Sequence, residues 1–160
     1  MWLSLKPFFQ WCDNLWIGHA ISATTWAFPL IETIHILALT IMYGAMILVD
    51  LRLLGLGLKK PTVSELAKSM EPYMDWGLII MLVSGFLLFT SEAMKSFDND
   101  GFRIKMIVLV PAVLFQYTLF RWVIRQDDAK RSAPVGWVVS LLSMVLWVGV
   151  GIGGRAIGFV

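Results

Sequence analysis

Residues 26–56, WAFPLIETIHILALTIMYGAMILVDLRLLGL, decide the fold. The stretch is long and apolar, yet it carries Glu32 and His35 near one end and Asp50 and Arg52 near the other. An ionisable group in hydrocarbon is expensive, so each of these side chains needs a partner or a task. Glu32 and His35 are spaced i, i+3, which puts them on one helix face.

The composition around this stretch points to a membrane. Of 160 residues, 58% are hydrophobic and 15% charged, where a soluble domain carries about 25% charge. The apolar residues fall in blocks long enough for a hydrocarbon core of about 30 Å. A net charge of +2 is too small to suggest nucleic acid. Cys12 is the only cysteine, which rules out an intrachain disulfide and any CxxC motif. The opening MWLSLKPFFQWCDN is a poor signal peptide, because Lys6 and Pro7 break its apolar run and no A-x-A-like site follows. The N-terminus is expected to be retained.

Residues 2–25 mix Trp2, Phe8, Phe9, Trp11 and Trp16 with Lys6, Asp13, Asn14 and His19. That is too polar and too short to span, and reads as one amphipathic helix lying in the interface. Four spans follow, at about 26–49, 75–91, 104–122 and 135–154. Pro29 falls in the first turn of the first span, where its missing N–H costs least. Thr62 or Ser64 offers an N-cap for a short helix before the second span. Pro111 lies inside the third. The expectation is an all-α, single-domain, four-helix bundle over residues 1–160 with an interfacial N-terminal helix.

Four spans put both termini on one side. Arg52, Lys59, Lys60, Lys68, Arg121, Arg125, Lys130 and Arg131 fall on the side of the first and third loops, against Lys6, Lys95, Arg103, Lys105 and Arg155 on the other. The positive-inside rule then places those loops in the cytoplasm and both termini in the periplasm.

E-x-x-H on an inward helix face is the spacing of carboxylate-bridged metal proteins. Such sites need a second pair, and this chain has none and only two histidines. A b-type haem is a better use of His35, since haem iron takes axial His or Met. Met42 and Met46 are stacked along the same helix and cannot face His35. A sixth ligand would come from His19, Met81, Met144 or a second protomer. The plainer alternative is a neutral buried imidazole bonded to Glu32 or to a facing hydroxyl, with the methionines as packing.

Asp50 and Arg52 lie two apart and do not share a face. Each is expected to pair across helices: Arg52 with Asp75, or Asp50 with Arg121 or Arg125. Gly149-x-x-x-Gly153 in the last span allows close helix approach, inside the bundle or between copies. No Ser-His-Asp set, P-loop, GxGxxG or zinc-protease motif is present, so the residues of a hydrolase or a nucleotide-driven pump are missing.

PLIETIHILAL, VDLRLLGLG, SGFLLFTSEAMKSFDNDGFRIKM and the final GRAIGF resemble a family of uncharacterised bacterial four-helix inner-membrane proteins. That family is distantly similar to the copper-resistance D and cytochrome b561-like membrane proteins. The resemblance runs from about residue 26 to the C-terminus. It implies a four-span bundle, an inner-membrane location and a haem. It also implies an Asn in the third span and a Phe-His pair near its end, where this chain has Gln116 and Phe120-Arg121. That departure takes away the second axial ligand for His35.

Two functions from different classes follow. One is a small b-haem or redox-associated membrane subunit centred on His35, with His19 as substitute ligand. The other is a non-enzymatic homo-oligomeric channel, carrier or accessory subunit in the lipid bilayer. Its polar cluster would be Glu32, His35 and Arg155, with Asp50, Arg52, Asp75 and Arg121 toward the cytoplasmic end.

Overall fold

Each apolar block becomes a helix in the computed structural model, which describes residues 2–57 and 60–158. Lys59, counted above among the loop cations, lies outside the described residues. In chain order the helices are α1 (Lys6–Asp13), α2 (Trp16–Ala23), α3 (Ala27–Leu53), α4 (Val63–Ser91), α5 (Ala93–Asp98), α6 (Asp100–Phe115), α7 (Arg121–Ile124) and α8 (Ala133–Ala156). A π turn, Gln116–Phe120, joins α6 to α7. Four of these segments are long and apolar enough to cross a membrane: α3, α4, Asp100–Ile124 and α8. The chain is an all-α, multi-pass membrane protein.

The helices overrun the spans read from hydropathy. α4 has 29 residues, about 43 Å at 1.5 Å per residue, against about 30 Å of hydrocarbon. Its first turns therefore stand outside the apolar layer. The separate short helix expected after Thr62 is the start of α4 itself. Thr62 forms a full capping box: its hydroxyl accepts from the Glu65 N–H at 3.2 Å, and Glu65 accepts from the Thr62 N–H at 2.8 Å. That pairing satisfies two donors that a helix start otherwise leaves open. Val63, Leu66, Ala67 and Met74 then turn one apolar face inward. Pro72 sits exposed inside α4. The carbonyl it frees belongs to Lys68, in the stretch beyond the hydrocarbon, where water can take it.

α3 packs chiefly on α4, and α6 on α8. Both pairs are set by glycine. A Cβ on Gly77 would lie 2.7 Å from Met42 Cβ, and one on Gly153 would lie 3.0 Å from Lys105 Cα. The Gly149-x-x-x-Gly153 face is thus used inside the bundle. Met42, Met46, Met74 and Met81 fill its centre with Ala112, Phe120 and Trp147. Ile107, Val138, Val145 and Ile152 stand exposed on the outside, as a lipid-facing surface requires.

The N-terminal segment is two short helices, broken where Leu15 turns extended (ψ 130°). α1 buries Phe9 among Phe89, Phe97 and Phe102, with ring centroids 5.2, 5.2 and 6.1 Å away. Cys12 is buried there too, and burial pushes its thiol pKa up. At 0% exposure it is one of the buried residues of α1.

Candidate functional site

His35 faces α4. Its Nδ1 lies 3.0 Å from Ser84 Oγ. The Ser84 hydroxyl donates to the Ile80 carbonyl at 2.6 Å. With that proton committed, the imidazole Nδ1–H is the donor to Ser84, and Nε2 keeps its lone pair. Gly85 makes room for the ring: a Cβ there would lie 3.1 Å from His35 Cε1. Of the two partners expected for His35, a facing hydroxyl is the one found.

Glu32 is not that partner. It is exposed and makes no hydrogen bond or ion pair among the described residues. Three residues rotate a helix by nearly a full turn and leave the two side chains about 60° apart. Here that is enough to send His35 inward and Glu32 outward. The expected Glu32–His35 unit therefore does not form. Arg155 sits in the last turn of α8, which packs on α6 at that end through Gly153 and Lys105. His19 is exposed on α2, whose Gly18 docks against the Thr90 carbonyl. Thr90 is six residues, about 9 Å, along α4 from the Ser84 that holds His35. Met42, Met46 and Met81 belong to the apolar core.

Asp50 and Arg52 diverge as their spacing requires. Arg52 Nε donates to the Pro61 carbonyl at 2.8 Å and ties the first loop. Asp50 turns inward and is 1% exposed. Its partners are hydroxyls of α8. Ser143 Oγ donates to Oδ2 at 2.8 Å, and Ser140 Oγ donates to the Asp50 carbonyl at 2.9 Å. Oδ1 is left without a partner.

The expected ion pairs are re-sorted. Asp75 pairs with Arg121, not with Arg52. Tyr117 donates its hydroxyl to the same carboxylate at 3.0 Å, and the Arg121 guanidinium lies 4.3 Å above the Tyr117 ring. Arg125 grips Glu71 with two bonds of 2.8 and 3.1 Å, and that carboxylate pushes its pKa further up. Neither arginine reaches Asp50, which makes no ion pair among the described residues.

Two interior residues were not among the site residues expected from sequence. Gln116, in the π turn, is 1% exposed, and both atoms of its amide lack a partner. Trp147 is 2% exposed, and its indole Nε1 lacks one too. Ser140, Ser143 and Trp147 follow at i, i+3 and i+7 on one face of the fourth span, which was the available signal. Among the described residues no three His, Cys, Asp or Glu side chains gather as metal ligands.

The model of a family described as "Family of unknown function (DUF6644)" matches residues 8–160. No curated protein and no solved structure matches the chain.

Proposed function

We propose for this chain, which belongs to DUF6644, the role of a non-enzymatic membrane protein that binds and passes a small monovalent cation at Asp50. The observation that carries this reading is the fully buried carboxylate with one oxygen unpartnered and no cationic side chain bonded to it. A carboxylate in such a place needs a proton or a cation, because one hydroxyl, that of Ser143, does not offset the cost of burying its charge. Of the polar residues expected from sequence, this reading rests on Asp50, toward the cytoplasmic end of α3, rather than on Glu32, His35 and Arg155.

The test is flux in proteoliposomes carrying internal dyes for protons, sodium and potassium. The parent should dissipate a gradient of one of these ions at least ten times faster than protein-free liposomes. Asp50→Asn should return the rate to background. A parent no faster than empty liposomes for all three ions would end this reading, and so would an Asp50→Asn variant as fast as the parent.

We further propose a bacterial inner-membrane location with both termini in the periplasm. The fold gathers Arg52, Lys60, Lys68, Arg121, Arg125, Lys130 and Arg131 at the loop end, which supports cytoplasmic loops. A reporter fused to the C-terminus should be active only in the periplasm; activity in the cytoplasm would invert the orientation.

A second reading, a b-type haem on His35, has one observation in its favour. The Nδ1–H bond to Ser84 fixes the ring and leaves Nε2 facing away from that bond, which is how a ligating histidine is usually held. His35 would supply one axial position. His19, exposed on α2, would have to supply the other or yield it to a second chain. When bound, the group would add one-electron redox chemistry. A Soret band in the purified parent, lost in His35→Ala, would favour this reading; a colourless parent from haem-supplemented cells would remove it.

A further inference from the structure

We propose that the interior beside Asp50 is a water-filled half-channel, entered from the loop end and blind beyond Trp147. It deepens the reading above by giving the cation its access, and rests on that reading only for what moves through it.

Hydrogen-bond bookkeeping identifies the occupant. The unpartnered atoms here are Asp50 Oδ1, Gln116 Oε1, Gln116 Nε2 and Trp147 Nε1. Two are acceptors and two are N–H donors. Left dry, each carries the full desolvation penalty of an unmade hydrogen bond. A bare cation would satisfy the two oxygens and face the two N–H groups with like polarity. Water both donates and accepts, and buried water characteristically sits where about three such groups converge.

The register brings these groups to one level. Gly101 abuts Ala156 and Ile157, Gly153 abuts Lys105, and Gly149 abuts Val108, so α6 and α8 run antiparallel in a fixed alignment. Continued down the helices, it sets Gln116 level with Leu141 and Leu142, next to Ser143 in the chain. Ser143 holds Asp50, and Trp147 lies one turn further along α8.

The mouth is at the loop end. An open groove of about 290 Å³ is lined there by Arg52, Leu53, Gly55, Asp128, Arg131 and Gly136. Leu53 and Gly136, both in its lining, meet there: a Cβ on Gly136 would lie 3.5 Å from Leu53 Cδ2. One turn beyond Leu53 on α3 is Asp50, and one turn beyond Gly136 on α8 is Ser140, which holds it. Leu53, which lines the groove, is thus one helical turn from the buried Asp50. On the far side the way is shut. Val150 is buried, and the glycine contacts at Gly149 and Gly153 leave no gap between α6 and α8.

Stability gives opposite signs for wet and dry. If the amide and indole are dry, Gln116→Leu and Trp147→Phe remove unpaired polar atoms and should each raise the melting temperature. If they hold water, each should lower it by about 3 °C or more. The double variant should then lose less than the two losses added, because both groups would line the same hydrated space. Two increases would overturn the proposal.

Thiol labelling supplies a readout that does not depend on those variants folding well. In a Cys12→Ala background, a small membrane-impermeant methanethiosulfonate is added from the loop side. Ser143→Cys should react at least ten times faster than Val150→Cys. Equal rates would overturn the half-channel. Flux that fails while labelling succeeds would instead remove the cation reading and leave the hydrated path in place.

Discussion

Gly77→Leu is expected to leave almost no folded protein, and Gly77→Ala to fold but melt well below the parent. A Cβ at this position would stand 2.7 Å from Met42 Cβ and 3.1 Å from the Ala38 carbonyl oxygen. One contact is a backbone atom and the other is fixed to the backbone, so no flexible side chain can yield. The clash must be relieved by moving α3 off α4, the chain's most extensive helix pair. Overpacking of this kind costs about 1–3 kcal/mol for one methyl, more than the roughly 1 kcal/mol gained by replacing glycine with alanine in a helix. Leucine adds three more carbons to the same gap. Gly44 on α3 is the internal control, with nothing within 4 Å of its would-be Cβ. Gly44→Ala should melt with the parent or above it. The measurement is thermal unfolding of the four proteins in one detergent. Gly77→Ala melting with Gly44→Ala would show that the α3–α4 contact is not what holds the bundle.

Hydropathy located the four crossings well and the helix ends poorly, for a physical reason. Transfer to hydrocarbon stops rewarding a helix at the headgroups, but backbone hydrogen bonding does not stop there. α4 continues from the apolar block back to Thr62 because the capping box closes its start and Leu66, Ala67 and Met74 still have an interior to face. The reading from sequence placed a separate short helix after Thr62 or Ser64 and began the second span only at about residue 75; Pro72 and the charges of Glu65, Lys68 and Glu71 lie between those two points. They are signs of exposure on a helix that had already left the membrane.

The site was less legible. Glu32 and His35 drew attention because polar residues in an apolar block are conspicuous, and their spacing suggested a pair. A shared face is a range of directions, however, and these two fall on either side of its edge. Asp50 was read as seeking an arginine, because charge calls for opposite charge. Its partners are the hydroxyls of Ser140 and Ser143, which are inconspicuous in a membrane span. Gln116 was noticed only as a departure from the residues that the family resemblance implied. Its burial depends on the π turn, which adds a residue to one turn of helix and carries no composition signal of its own. The Gly149-x-x-x-Gly153 motif left packing and self-association open, and the α6–α8 contact accounts for it within one chain.

Arg121→Ala is expected to destabilise the protein by about 2–3 kcal/mol, several times the effect of Arg125→Ala. Both arginines hold a carboxylate of α4, and from sequence alone they look alike. Their surroundings differ. The Arg121 side chain is 18% exposed, whereas that of Arg125 is 59% exposed. Removing one member of a buried pair costs about 3–5 kcal/mol because the other charge is left uncompensated. Asp75 retains 36% exposure and the Tyr117 hydroxyl, which lowers that cost. The lost contact between the guanidinium and the Tyr117 ring returns about 0.5–1 kcal/mol to it. The Arg125–Glu71 bond is well made but wet on one side, and such pairs contribute about 1 kcal/mol or less. The combined change Asp75→Asn with Arg121→Gln removes both charges and keeps hydrogen-bonding groups in place, so it should melt above Arg121→Ala. At about 2–4 °C per kcal/mol for a chain of this size, thermal unfolding resolves the three. The decisive comparison is between the single variants. If Arg121→Ala and Arg125→Ala melt together, the Asp75 pair acts only as a headgroup-level anchor. If Arg121→Ala melts well below and the double variant recovers, the pair fastens α4 to the far side of the π turn, and so fixes the segment that holds Gln116 in the interior.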